Sequence, residues 1–183
     1  AKALDHISAR IGQRAEEFSA LIIDENGKPL MWSRGEVSRA VSTFRWAAEE
    51  ARRWSGELQR LDTDPNATGR LGITRRFPRG PVLGIAPFNF PLNLVAHKVA
   101  PAIAVGAPVL IKPASATPLT ALLLAEIVAE TELPQASLSV LPIRGGQMDA
   151  VNTDPRLPVI SLTGSDEVGD RIRQAAPQKQ VVL

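Results

Sequence analysis

The chain has 183 residues, a net charge of +2 and 44% hydrophobic residues, enough apolar material for the core of one domain or of one and part of another. It contains no cysteine, which excludes a disulfide framework, a thiolate metal site and a thiol nucleophile, and His6 and His97 are too few and too far apart for a metal centre. Nearly balanced charge and 4% aromatic residues argue against a nucleic-acid surface, and no run of about 18 apolar residues suits a membrane span.

In chain order, Leu4, Ile7, Ile11, Phe18, Leu21 and Ile22 follow helical spacing and predict one amphipathic first helix. That stretch is charged and lacks the apolar centre of a signal peptide, so a cytoplasmic protein is expected. "DENGKP" (24–29) supplies a turn and a proline stop. A second helix over roughly 35–54 buries Val37, Val41, Phe44, Ala48 and Ala51 and turns Arg45, Glu49, Arg52 and Arg53 to solvent. After the loop "DTDPNATGR" (62–70), "LGITRRFPRG" (71–80) reads as a strand that leaves the body of the protein and ends at Pro78.

From residue 81 the rhythm changes. Strand-like pieces "PVLGIA" (81–86), "PVLIK" (108–112), "LSVLP" (138–142), "PVISLT" (158–163) and "QVVL" (180–183) alternate with helical stretches over 91–105, 118–131, 145–152 and 165–176. Short apolar strands alternating with helices predict a doubly wound parallel sheet, with each strand buried on both faces. The last strand meets the chain end with no helix after it, so a domain cut short is expected.

In such sheets ligands bind beyond the carboxyl ends of the strands, and four junctions carry polar groups there. In "GIAPFNFPLN" Asn89 follows a strand and precedes a helix, as an oxyanion donor or as a helix cap. In "LIKPAS" Lys112 ends a buried strand, either to meet an anionic or hydroxyl-rich ligand or to reach solvent along its own stem. In "PIRGGQ" Gly145 opens a helix where backbone can approach a ligand, or simply makes a turn. In "SLTGSDEVG" Ser165 and the free amides of a helix start form a phosphate cradle, or Ser165 is a cap with Asp166 and Glu167 complementing the helix dipole. No GxGxxG, GxxxxGK[ST] or GxSxG occurs, which counts against the usual dinucleotide fingerprint, a P-loop nucleotidase and an α/β-hydrolase.

Together the four junctions resemble the coenzyme-binding half of the aldehyde dehydrogenase superfamily. "PFNFP" is similar to its aromatic-Asn-Phe-Pro motif, "IKPAS" to its lysine-proline motif and "LTGSDEVG" to its Thr-Gly-Ser segment. "LIIDENGKPL" followed by "EVSRAVSTFRWAAEEARR" resembles the two helices before that domain, so the likeness spans nearly the whole chain in order and spacing. The resemblance implies a Rossmann-like α/β domain over 71–183, preceded by an amino-terminal helical pair within 1–70. It implies that the Asn89 amide stabilises the substrate oxyanion and that Ile85, Ala86, Pro87 and Phe88 lie along the coenzyme. Lys112 matches the ribose contact, Ser165 the pyrophosphate contact and Val168 the apolar contact to adenine; Lys98 matches a lysine sometimes assigned to proton relay.

The family reaction needs a thiolate nucleophile and a water-activating glutamate, neither of which is present here. The expectation is therefore a fragment of an NAD(P)-dependent enzyme that does not turn over alone and is a homo-oligomer, dimer or tetramer, when intact. A CoA-acylating or acyl-phosphate-reducing relative, or a non-catalytic binding or assembly module with the same fold, are the alternatives. Many NAD-preferring members carry glutamate where this chain has Ser115; serine removes a charge that repels a 2′-phosphate, so NADP becomes acceptable or preferred. Ala107 stands where the family often has asparagine, and carries no functional reading. By the same resemblance Phe90, Asn93 and His97 line the substrate tunnel. Asn93 and His97, spaced i, i+4, are expected to share its face, and their polar side chains suit a small, polar and anionic aldehyde. The alternative places His97 at a domain or subunit contact.

Overall fold

Leu4, Ile7 and Ile11 are fully buried and form the inner face of α1 (Lys2–Gln13) in the computed structural model, which describes residues 1–183. The single first helix expected from the spacing is in fact two. Arg14 (φ −100°, ψ 23°) interrupts it, and α2 runs Ala15–Asn26. Gly12 weakens the helix just before the break, and the Arg14 guanidinium is held by Glu17 at 2.6 Å and by Glu126 at 3.6 Å. Gly27 closes α2 with φ 73°, a left-handed conformation that costs glycine nothing sterically. α3 (Leu30–Arg53) follows Pro29 directly and starts earlier than the spacing suggested. Burial of Ser33, Glu36 and Val37 draws its first turns into the helix and outweighs the weak propensity of Gly35.

The strand expected over 71–80 is shorter, β2 (Leu71–Ile73), and pairs antiparallel with an unanticipated β1 (Leu58–Arg60). This ribbon holds Leu58, Leu71 and Ile73 exposed.

Each remaining element matches its expected segment, trimmed at the ends: β3 (Val82–Ile85), α4 (Asn93–Ala104), β4 (Val109–Lys112), α5 (Leu119–Ala129) and β5 (Leu138–Val140). β6 (Val159–Leu162), α7 (Asp166–Ala175) and β7 (Gln180–Val182) complete the series. The helix expected over 145–152 divides into a 3₁₀ turn, Gly145–Gln147, and α6 (Asp149–Thr153). All five strands of this sheet are parallel, in the order β5-β4-β3-β6-β7. Burial on both faces holds for the inner strands but not at the edges, where Ser139, Gln180 and Val182 are exposed.

One apolar cluster joins the amino-terminal helices, α4, α5 and one face of the sheet, including Ile111. A smaller one, with Leu83, Met148, Ile160 and Ile172, fills the other face under α6 and α7. The chain winds outward from β3 to β5, then crosses back to lay β6 on the other side of β3. The switch point between β3 and β6 is where a crevice opens beyond the strand ends. No helix is long and apolar enough to cross a membrane.

Candidate active site at the carboxyl edge of the sheet

The strand tips are tied in register. Ile85 lies opposite both Lys112 and Leu162; the Ala86 amide donates to the Lys112 carbonyl at 3.1 Å and the Thr163 amide to the Ile85 carbonyl at 3.0 Å. Ile85, Ala86 and Pro87 thereby form the floor of the crevice, with Phe88 and Asn89 exposed beyond it. The cap reading of Asn89 does not survive. α4 begins at Asn93, four residues on, and its first amides are taken by another side chain: Glu36 Oε1 accepts from Leu92 N at 2.9 Å and from Asn93 N at 3.1 Å. The Asn89 amide makes no bond within the chain and is left to face whatever enters.

Glu36 was not singled out from the sequence, and neither were its companions. Its other oxygen pairs with Lys28, whose ammonium also donates to the Asn89 carbonyl at 2.6 Å and lies 4.0 Å from the centroid of the Phe90 ring. Asn26 Nδ2 donates to the Phe88 carbonyl at 2.5 Å. The only sequence signal was a lone acid among the buried positions of α3, which periodicity alone could not tell from an exposed glutamate.

Lys98 crosses beneath β3, where Gly84 makes room for it. A Cβ at Gly84 would come within 2.4 Å of Ile111 Cδ1 and 3.1 Å of Lys98 Cδ. The lysine is 4% exposed and donates to Thr163 Oγ1 at 2.7 Å. Burial pushes its pKa down to about 8, so near neutrality it can hold or release a proton at Nζ. Thr163 thus links α4 to the loop before α7, a role its motif position did not announce.

On the coenzyme side, Lys112 is buried, and desolvation alone lowers its pKa, with no acid of the chain to counter it. Ser115 is exposed and its hydroxyl approaches the Ile143 carbonyl at 3.5 Å, which sets Ser115 beside the segment leading to Gly145. Gly145 is exposed, and a Cβ there would meet nothing within 4 Å, so no contact inside the chain requires glycine. Val168 is half-buried against the smaller cluster.

Three helices of ten or more residues, α4, α5 and α7, start at this edge, and two of the starts are already filled by carboxylates. Glu36 serves α4 as described; Glu25 serves α5, accepting from Leu119 N at 2.8 Å and Thr120 N at 3.0 Å. α7 differs. Ser165 occupies its N-cap position, yet the hydroxyl makes no capping bond, so the first amides and the hydroxyl stay available to an anion. Asp166 and Glu167 of that first turn are exposed. These donors, Lys112 and Ser115 fit a dinucleotide: an anion cradle at one end and hydroxyl-directed groups at the other.

Asn93 and His97, expected to share a face, lie one turn apart on α4 and differ in exposure. Asn93 is 1% exposed, its Oδ1 buried without a partner, whereas His97 is exposed. The Asn93 backbone amide is held by Glu36 of α3, which sets Asn93 inside the α3–α4 contact while His97, one turn on, reaches the surface. Partial burial, then Arg39 and Lys98, hold the His97 pKa below its ordinary value. Arg39, exposed and 5.6 Å from the Phe90 ring centroid, forms no ion pair with any acid of the chain and joins His97 at the rim. A separate cavity of about 580 Å³, lined by Ile103, Gly106, Ala107, Pro108, Leu133 and Ala136 among others, lies at the opposite, amino-terminal end of the strands.

Comparison with known proteins agrees with this geometry. The model of the aldehyde dehydrogenase family matches residues 1–183. A 3-sulfolactaldehyde dehydrogenase of Priestia megaterium is 42% identical over 173 residues, 93% of this chain and 36% of the relative. An aspartate-semialdehyde dehydrogenase of Pseudomonas canavaninivorans is 37% identical over 183 residues, 100% of this chain and 39% of the relative. Aldehyde dehydrogenase 21 of Physcomitrella patens, solved with the reaction product succinate, superposes with a TM-score of 0.93 at 45% identity, over 98% of this chain and 38% of that one. An NADP-dependent glyceraldehyde-3-phosphate dehydrogenase of Bacillus halodurans C-125, complexed with NADP, gives 0.92 at 33% identity, over 98% and 38%. The chain therefore spans 36–39% of the length of these relatives.

Proposed function

This chain belongs to the aldehyde dehydrogenase family, and from that premise we propose that it is the coenzyme-binding part of an enzyme that oxidises an aldehyde to its carboxylic acid with NADP or NAD. The observation that carries the reading is the unequal state of the three helix starts. Carboxylates fill those of α4 and α5, and of these three long helices α7 is the one that presents free amides and the Ser165 hydroxyl for a pyrophosphate. When bound, the coenzyme supplies the hydride acceptor. Lys112 and Ser115 hold the adenosine ribose, Val168 packs against adenine, and the floor from Ile85 to Pro87, with Phe88 beyond it, orients the nicotinamide end. Asn89 donates its amide to the substrate oxygen as negative charge develops there. Lys98 holds a proton below the crevice. The nucleophile and the water-activating carboxylate are supplied from outside this chain.

Ser115 leaves no carboxylate against a 2′-phosphate, which favours NADP. The Arg39 guanidinium at the rim beside Phe90, with His97 next to it as a neutral hydrogen-bonding ring, selects a small anionic aldehyde. Relatives named for sulfolactaldehyde and aspartate semialdehyde act on aldehydes of that kind, which supports the same assignment. The intact enzyme is a cytoplasmic homo-oligomer without a nucleic-acid or membrane partner.

In the intact enzyme, Asn89→Ala lowers kcat about 100-fold or more and leaves coenzyme affinity in place, as expected for loss of one oxyanion donor. Unchanged kcat with weakened coenzyme binding would refute the assignment. A panel of short anionic, aliphatic and aromatic aldehydes tests the substrate class. A kcat/KM that climbs with aliphatic chain length rules out the anionic preference.

A further inference from the structure

Asn89 has no side-chain bond of its own, so its direction depends on its backbone. Two peptide planes flank it, one carrying the Phe88 carbonyl and the other its own. Each plane is rigid, and fixing both fixes φ, ψ and hence the Cα–Cβ direction. Both carbonyls are held from the same place. Asn26 Nδ2 donates to the first at 2.5 Å and Lys28 Nζ to the second at 2.6 Å, from the last residue of α2 and from the turn that follows it. Lys28 is itself locked by Glu36, the side chains being 11% and 0% exposed. A carboxylate so deep is tolerated only when paired and hydrogen-bonded, and Glu36 meets both conditions through Lys28 and the first amides of α4. The loop before α4 and the start of α4 therefore share one anchor.

We propose that the end of α2 and the turn after it are the positioning element of the active site, with Asn26 and Lys28 aiming Asn89 and Glu36 holding Lys28 to that task. Resting on the reading of Asn89 as the oxyanion donor, the proposal gives the amino-terminal helices a part in the chemical step. They set the angle of a side chain that lies 61 residues beyond Lys28 in the chain.

A double-mutant cycle in the intact enzyme tests it. Lys28→Met and Asn89→Ala are compared singly and together by kcat, coenzyme KM and thermal unfolding. Lys28→Met alone strands a buried carboxylate, so a Lys28→Met/Glu36→Gln pair is measured beside it. There the amide oxygen can still accept from Leu92 and Asn93 without a buried charge. Both backgrounds are expected to lose on the order of tenfold or more in kcat, the scale of a misplaced catalytic group, with coenzyme KM nearly unchanged. Once Asn89→Ala is present, Lys28→Met is expected to add no further loss, because coupled residues are not additive. An equal fold loss in the Asn89→Ala background marks an independent structural role and overturns the proposal, as does full kcat in the folded Lys28→Met/Glu36→Gln pair. If Asn89→Ala itself leaves kcat intact, the oxyanion reading fails and the positioning role goes with it.

Discussion

Replacing Lys98 with methionine measures what it costs to keep an ammonium under the sheet's carboxyl edge. Burial lowers the Lys98 pKa from 10.5 to about 8. A shift of that size corresponds to roughly 3 kcal/mol between the charged group in the fold and in water. Below the folded pKa the side chain is charged in both states, and the folded protein bears the whole cost. Between about pH 8 and 10.5 the unfolded chain binds the proton that the folded one has released, so stability rises with pH through this window. Methionine keeps the length of the stem and removes the charge, but it gives up the 2.7 Å bond to Thr163, worth about 1 kcal/mol. The net expectation is a Lys98→Met variant about 2 kcal/mol more stable near neutral pH, an advantage that disappears towards pH 10. Thermal unfolding of the intact enzyme and the variant, run in parallel across that range, reads the difference directly. A stability difference independent of pH, or a less stable variant near neutral pH, refutes desolvation as the dominant effect. A concurrent loss of kcat is expected, since stability gained at a functional site is commonly exchanged for activity.

Ser115→Glu is expected to shift the NADP/NAD ratio of kcat/KM towards NAD by about tenfold or more through like-charge repulsion, read by steady-state kinetics with both coenzymes. Arg39→Ala is expected to raise KM about tenfold for a carboxylated aldehyde and to spare an uncharged one of equal length; equal losses on both would remove Arg39 from substrate selection. Gly84→Ala places a methyl 2.4 Å from the end of the fully buried Ile111 side chain. Differential scanning calorimetry should show a loss of about 1–3 kcal/mol from overpacking.

The alternation of strands and helices, the parallel sheet and the positions of the polar junctions are legible in the amino-acid order alone. These are written in short-range patterns: buried strands read as apolar runs, and a helix shows its face every three or four residues. The same local logic joined the first two helices into one, because their apolar residues keep helical spacing across Arg14, where only the backbone (φ −100°, ψ 23°) marks the break. It aligned Asn93 with His97, and only packing against α3 buried one and exposed the other. It also left Asn89 and Ser165 divided between helix cap and ligand donor. Tertiary structure decided the first, since Glu36 occupies the start of α4 from 56 residues away and frees the Asn89 amide. It decided the second by leaving the Ser165 hydroxyl without a capping bond, while Glu25 and Glu36 filled the two neighbouring helix starts. A cap supplied from a distant helix leaves no mark at the site it serves, because the donors are backbone amides and the acceptor lies in another part of the chain.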